Sequence, residues 1–309
     1  MIDPFQFSGC VSDAARSAFA AAALDPAAPT DLADLRLHYD AYNRRLLAAA
    51  LNRYSVGIEE IAIDGVKVHS VEPSLGVTDP RTLVCLHGGA FMWGSGAGAL
   101  LEAVPLAVVT GMRVLAIDYR LAPEHTFPAA VDDVVTVYRD LLSRSAAHSI
   151  GFYGCSAGGM LTAQAVARIG HDQLPGPGAI AMLHGTALEF TGDTAATAAA
   201  FDPHATPGAY PTVDQLPYFV TADLQDPLVL PGNHPQALEK FPPSLLISGT
   251  RDFAASACAT MHRRLLAAGV EADFVLFDGL WHAHHMDVEL PESQEVFELV
   301  AKHFRQHLR

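Results

Sequence analysis

From about Ile58 onward, short apolar runs alternate with longer stretches in which apolar residues recur every three or four positions. The short runs are Ile58–Ile63, Val66–Val71, Thr82–Leu86, Val114–Asp118, Ser149–Tyr153, Gly178–Leu183, Ser244–Ile247 and Ala272–Phe277, and they read as strands. Helical periodicity lies between most of them, near Leu100–Thr110, Ala129–Ser145, Ala157–Ile169, Ala254–Ala268 and Pro291–His307. Such alternation predicts an α/β fold: a mostly parallel sheet with helices on both faces. The first 50 or so residues differ, being Ala-rich and helical throughout. There Asp31 is placed to cap a helix carrying Leu35, Leu37, Tyr39, Tyr42, Leu46, Leu47 and Leu51. Between about Glu189 and Phe241 the rhythm breaks into a Pro-, Asp-, Ala- and Thr-rich stretch without a clear strand. A stretch this long inside a compact α/β domain reads as an inserted lid or binding element.

Composition narrows the class. Half of the 309 residues are hydrophobic and 17% are charged, enough apolar material for a sizeable core. Against 19 Lys and Arg stand 34 Asp and Glu, a formal net charge of −15 that repels nucleic acid and anionic membranes alike. No apolar run approaches the roughly 18–20 residues of a membrane helix. The run Ala18–Leu24 is short and follows Asp3 and Asp13, whereas a secretory leader opens on positive charge. Cys10, Cys85, Cys155 and Cys258 form neither a CxxC pair nor a disulfide framework, so reduced thiols in the cytoplasm are expected. Gly94, Gly96 and Gly98 lack the spacing of a dinucleotide loop, and no cofactor is expected.

Chemistry concentrates at strand ends. Gly154-Cys155-Ser156-Ala157-Gly158 matches G-x-S-x-G between an apolar strand and a helical pattern, the setting in which a sharp turn lifts a serine clear of a sheet. His87-Gly88-Gly89-Ala90-Phe91 follows another strand, and adjacent glycines there leave backbone N–H groups open to an anion. Asp118-Tyr119-Arg120-Leu121-Ala122-Pro123-Glu124 sets an Arg between carboxylates and reads as a structural ion-pair knot. Asp252 follows a strand and a Gly-Thr turn, Asp278 ends a strand, and Asp287 lies just beyond; each is a candidate acid. His282, His284 and His285 compete as base. The His-x-His-His run lacks a matching Cys or carboxylate cluster at ligand spacing, so no metal is expected.

Taken together, HGGAF, DYRLAPEHTFPA, GCSAGG, GTRD and a late His resemble the hormone-sensitive-lipase-like group of the α/β-hydrolase superfamily, from about Leu83 to the C-terminus. The resemblance implies an α/β-hydrolase fold with an eight-stranded, mostly parallel sheet flanked by helices, and a cap built from N-terminal helices and an inserted segment. Residues 1–55 would be the N-terminal cap segment, 56–188 with 242–309 the catalytic domain, and 189–241 the inserted lid. It implies Ser156 as nucleophile, Asp252 as triad acid and His282, three residues after Gly279, as base; backbone N–H groups of Gly88, Gly89, Ala90 and Ala157 would form the oxyanion hole. The chain order Ser, Asp, His agrees. Ala90 stands where the family commonly has a third Gly, which is acceptable if its φ is negative; Cys155 stands where Asp is common, its side chain expected to face away from substrate. The activity implied is that of a cofactor-free serine carboxylesterase acting on short- to medium-chain esters through an acyl-enzyme. A lactone hydrolase or amidase with the same triad is the alternative. A non-catalytic receptor on this fold would lack the base, and a Cys155 nucleophile would sit off the elbow's central position. The expected partner is a small-molecule ester, with a homodimer left open.

Overall fold

Eight strands lie side by side in the computed structural model of the chain, which describes residues 6–22, 24, 27–201 and 212–309. They are β1 (Val56–Ile63), β2 (Val66–Pro73), β3 (Thr82–Leu86), β4 (Arg113–Ile117), β5 (Ile150–Cys155), β6 (Ala179–Leu183), β7 (Ser244–Arg251) and β8 (Ala272–Trp281). Their order is β1-β2-β4-β3-β5-β6-β7-β8. The β1–β2 and β2–β4 pairings are antiparallel and the rest parallel. The helices are α1 (Asp13–Ala22), α2 (Leu32–Arg53), α3 (Ala97–Leu100), α4 (Ala103–Thr110), α5 (Ala129–Leu142), α6 (Ala157–His171), α7 (Asp193–Thr197), α8 (Pro235–Leu238), α9 (Ala255–Ala267) and α10 (Pro291–His307).

Every residue of β3 and β5 is buried, as central parallel strands covered on both faces must be. The period of two sorts their side chains into two cores. Val84 and Leu86 join Val134, Leu161 and Met261 of α5, α6 and α9. Leu83 and Cys85 join Leu106 of α4 and Phe297 and Phe304 of α10.

The strands expected from the apolar runs all form, but β7 and β8 run on to Arg251 and Trp281, past the apolar ends Ile247 and Phe277. Pairing with the neighbour sustains them where composition does not: Ser248 opposes Leu276 and, beyond an irregularity, Arg251 opposes Trp281. The expected helix near Leu100–Thr110 is instead two, α3 and α4, parted at Leu101 and Glu102.

At the N-terminus Asp31 caps α2 as its position predicts, its carboxylate accepting the N–H groups of Ala33 and Asp34 at 2.9 and 3.1 Å. Ahead of α1, Ser12 donates its N–H and hydroxyl to Glu292 at the start of α10, and Phe19 packs on Trp281 at 5.3 Å. Segment 189–241 carries no strand among the described residues, only α7, α8 and short 3-10 turns. Its Tyr218 is buried, stacked on Phe91 at 4.2 Å, and its backbone carbonyl accepts the N–H of Phe127. Residues 202–211 of that segment, and 1–5, 23, 25 and 26 of the N-terminal one, lie outside the described residues. No described helix is long and apolar enough to cross a membrane.

Candidate active site

Where β5 gives way to α6, Ser156 has φ 58° and ψ −118°, a strained conformation for an L-residue. The surroundings hold it there: its N–H donates to the Leu183 carbonyl of β6 at 2.8 Å. The flanking glycines are needed for room, since a Cβ on Gly154 or Gly158 would lie 2.2 or 1.8 Å from the Leu86 carbonyl oxygen. The turn therefore sends Ser156 outward, while Cys155, still in β5, is buried among the side chains of the opposite core. That orientation agrees with the expectation for Cys155.

Because Arg251 pairs with Trp281, the next residue on each strand, Asp252 and His282, emerge side by side. His282 Nδ1 lies 2.7 Å from Asp252 Oδ1 and its Nε2 lies 2.9 Å from Ser156 Oγ. Asp252 is fully buried and accepts four hydrogen bonds, from His282, the Ala254 N–H, Ser248 Oγ and His184 Nδ1. Burial works to raise its pKa, but the charge of His282 and the bonds from His184 and His282 outweigh it and hold the carboxyl well below its ordinary range. The ring of Phe253 stacks on His282 at 4.4 Å, with Phe190 edge-on to Phe253 at 5.4 Å.

The rival acids stand elsewhere. Asp278 is exposed and meets Thr250 Oγ1, and Asp287 accepts the Glu289 N–H. Neither His284 nor His285 reaches pocket wall or solvent. His284 is 1% exposed and faces the Trp281 carbonyl; His285 is fully buried with Nε2 3.0 Å from Glu102 Oε1. Two groups of three donor side chains converge among the described residues: His184, Asp252 and His282, which is the hydrogen-bonded line just described, and Glu102, Cys155 and His285. Sequence spacing hides the second group because its members come from three distant segments. In it, His285 spends Nε2 on Glu102.

The loop after β3 runs alongside the serine, a Cβ on Gly88 falling 3.4 Å from that of Ser156. Among the described residues no acceptor takes the N–H of Gly89, Ala90 or Ala157. One expectation needs correction: Ala90 has φ 50°, not a negative value. Anchoring on both sides holds the loop in this shape, at about 1 kcal/mol for the alanine. Beneath it the His87 ring stacks on Tyr119 at 4.1 Å, Tyr119 Oη donates to the His87 carbonyl, and Asp118 accepts the Gly96 N–H. The ion-pair reading of this motif stands with other partners: Arg120 meets Asp133 of α5 at 2.8 Å, Asp118 meets Lys67 at 3.5 Å, and Glu124 meets Arg36 at 2.6 Å.

From above, α2 clasps the same loop. Arg36 donates to the Met92 and Ala122 carbonyls at 2.8 and 2.9 Å as well as to Glu124, and Tyr39 stacks flat on Trp93 at 4.5 Å. We expect Arg36→Ala to lower kcat/KM about tenfold and stability by about 1–2 kcal/mol, since charge-assisted bonds to part-buried carbonyls exceed surface ion pairs in worth. Arg36→Lys should restore little, lacking the planar fork. Ester kinetics with thermal unfolding check this, and wild-type kcat/KM in Arg36→Ala would disconnect α2 from the loop.

Burial also sets an acid limit. It drives the pKa of His184 and of His303 on α10 down to about 4, and that of His284 well below its ordinary value. Unfolded, these imidazoles bind a proton near 6.5; folded, His184 and His303 do so only near 4. Their contribution to stability is thus complete above about pH 6.5 and is lost as pH falls towards 4, at about 3 kcal/mol for each of His184 and His303. Urea midpoints should drop steeply between pH 7 and 4.5. Equal midpoints at those two pH values would refute it.

A protein-family model for the α/β hydrolase fold matches residues 83–286. The chain is 30% identical over 275 residues to a protein named as an acetyl-hydrolase, LipR, of Mycobacterium tuberculosis, covering 86% of this chain and 87% of that one. It is 27% identical over 257 residues to an esterase of Acinetobacter venetianus, 80% of this chain and 82% of the other. Among solved structures, esterase E25 superposes with a TM-score of 0.84 at 31% identity, over 98% of this chain and 96% of that one. An esterase from the bacterial hormone-sensitive lipase family does so with a TM-score of 0.82 at 27% identity, over 96% and 98%.

Proposed function

Since the chain belongs to the hormone-sensitive-lipase-like esterases of the α/β-hydrolase family and is a carboxylester hydrolase, we propose that Ser156, His282 and Asp252 carry out its chemistry. The observation that carries the reading is His282 bridging Ser156 Oγ at 2.9 Å and Asp252 at 2.7 Å. Asp252, ionised, accepts Nδ1–H and so leaves Nε2 as the lone pair that takes the Ser156 proton. Ser156 Oγ attacks the ester carbonyl, and the N–H groups of Gly88, Gly89, Ala90 and Ala157 receive the oxyanion; those of Gly89, Ala90 and Ala157 are unclaimed among the described residues. His282 then protonates the departing alcohol, and a water activated by the same nitrogen hydrolyses the acyl-enzyme.

The substrate we propose is a small ester with a short acyl group, acetyl first, in keeping with the acetyl-hydrolase name of the LipR relative and with Phe253 and Phe190 crowding the base. Residues 1–55 and 189–241 serve as the cap, a reading supported by Tyr39 on Trp93 and Tyr218 on Phe91. The charge of −15 speaks against a nucleic-acid partner, and four free cysteines favour a reducing, cytoplasmic setting. An organophosphonate should label Ser156 alone, and p-nitrophenyl esters of rising chain length, run beside lactones, should give their highest kcat/KM at short acyl chains. An adduct on another residue, or lactones turned over faster than every ester, would overturn the reading.

A further inference from the structure

His184 lies one residue beyond β6, at the carboxyl end of a central strand, where sites of open α/β sheets assemble. Its backbone is in the left-handed region, φ 52°, and its N–H is tied to the Ile247 carbonyl of β7 at 2.7 Å. The side chain is fully buried and puts Nδ1 2.8 Å from Oδ2 of Asp252. An ionised carboxylate accepts at roughly four lone-pair positions. Here all four are filled: His282 and the Ala254 N–H on Oδ1, His184 and Ser248 on Oδ2. As donor to a carboxylate, His184 carries its proton on Nδ1, and its Nε2 is buried with no hydrogen-bond partner among the described residues. A buried nitrogen without a partner is costly and calls for a reason.

We propose that His184 is a positioning residue of the hydrolase: by donating Nδ1–H to Oδ2 it fixes the rotation of the Asp252 carboxylate and draws off part of its charge, so that Oδ1 meets His282 at the right angle and strength. The inference rests on the reading of Ser156, His282 and Asp252 as the triad. The groups facing His184 are Asp252 from the β7–α9 loop, His282 after β8, and His284 and His285 beyond it, with the His285 ring stacked parallel at 5.3 Å. Glu102 backs His285 at 3.0 Å and keeps that ring in place.

Removing the donor concentrates negative charge on Asp252, which favours the imidazolium of His282 and moves the acid limb of kcat/KM to higher pH. A residue that served packing alone would leave that limb where it is. The test compares His184→Ala, His184→Asn and wild type, with rates normalised to the fraction that an organophosphonate labels at Ser156. In His184→Ala we expect kcat to fall about tenfold with KM within about twofold, and the limb to rise by about half a pH unit. His184→Asn, whose side-chain N–H reaches the same place as Nδ1–H, should recover kcat to within about threefold of wild type. Wild-type kcat and limb in His184→Ala would overturn the inference. So would equal loss in both variants with an unmoved limb. An adduct elsewhere than Ser156 would instead strike the triad reading itself.

Discussion

Ser156→Ala should lose about 10⁴-fold or more in kcat towards p-nitrophenyl acetate while unfolding within about 1.5 kcal/mol of the wild type. The activity term follows from the chemistry: without Oγ no acyl-enzyme forms, and what remains is the contribution of the oxyanion donors and binding. The stability term follows from the turn. Ser156 occupies φ 58° because Leu183, Gly154 and Gly158 dictate the backbone there, and alanine keeps both the size and the strain. Only the hydroxyl bond to His282 disappears, a net loss of about 0.5–1.5 kcal/mol for a typical hydrogen bond. Steady-state kinetics beside thermal melts separate the two effects, and a variant retaining a hundredth of the wild-type rate would place the nucleophile elsewhere.

The three late histidines should divide into two opposite phenotypes. His282→Ala, removing the proposed base, is expected to lose about three or more orders of magnitude in kcat with little change in melting, because its side chain is 27% exposed and Asp252 keeps the donors Ala254, Ser248 and His184. His285→Ala should do the reverse. It strips Glu102, 2% exposed, of its imidazole partner and costs about 1–3 kcal/mol, while each folded molecule turns over within about tenfold of wild type. His284→Ala, opening space beside Phe277 and Trp281, belongs with His285→Ala. Melting curves and kcat on the three variants decide the matter: a collapse of kcat at His284 or His285, with His282→Ala active, would reverse the assignment.

Much of the architecture is legible in the chain because it is local. Apolar runs mark the strands, glycine spacing around Ser156 marks the tight turn, and Asp31 marks the start of α2. Asp252 and His282 are legible one at a time, as residues following strands, but their meeting depends on the register that sets Arg251 opposite Trp281. Only packing decides that register. His184 is illegible for the same reason, since its partner lies 68 residues away and a lone His at a strand end has no pattern around it. The Glu102–His285 contact spans 183 residues. Ala90 misleads in a different way: residue type argues for negative φ, and anchors on both sides of the loop override it.

The arrangement of the sulfurs offers a practical handle. Cys85, Cys155 and Cys258 are buried, and burial pushes the pKa of each thiol well above its ordinary value. Cys10 is exposed, just ahead of the α1 arm that reaches Glu292 and Trp281, the latter adjoining His282. A maleimide dye added to the folded native enzyme therefore attaches to one sulfur of four. With no engineered cysteine, such a fluorophore would watch that arm lift from or hold to the His282 loop during turnover.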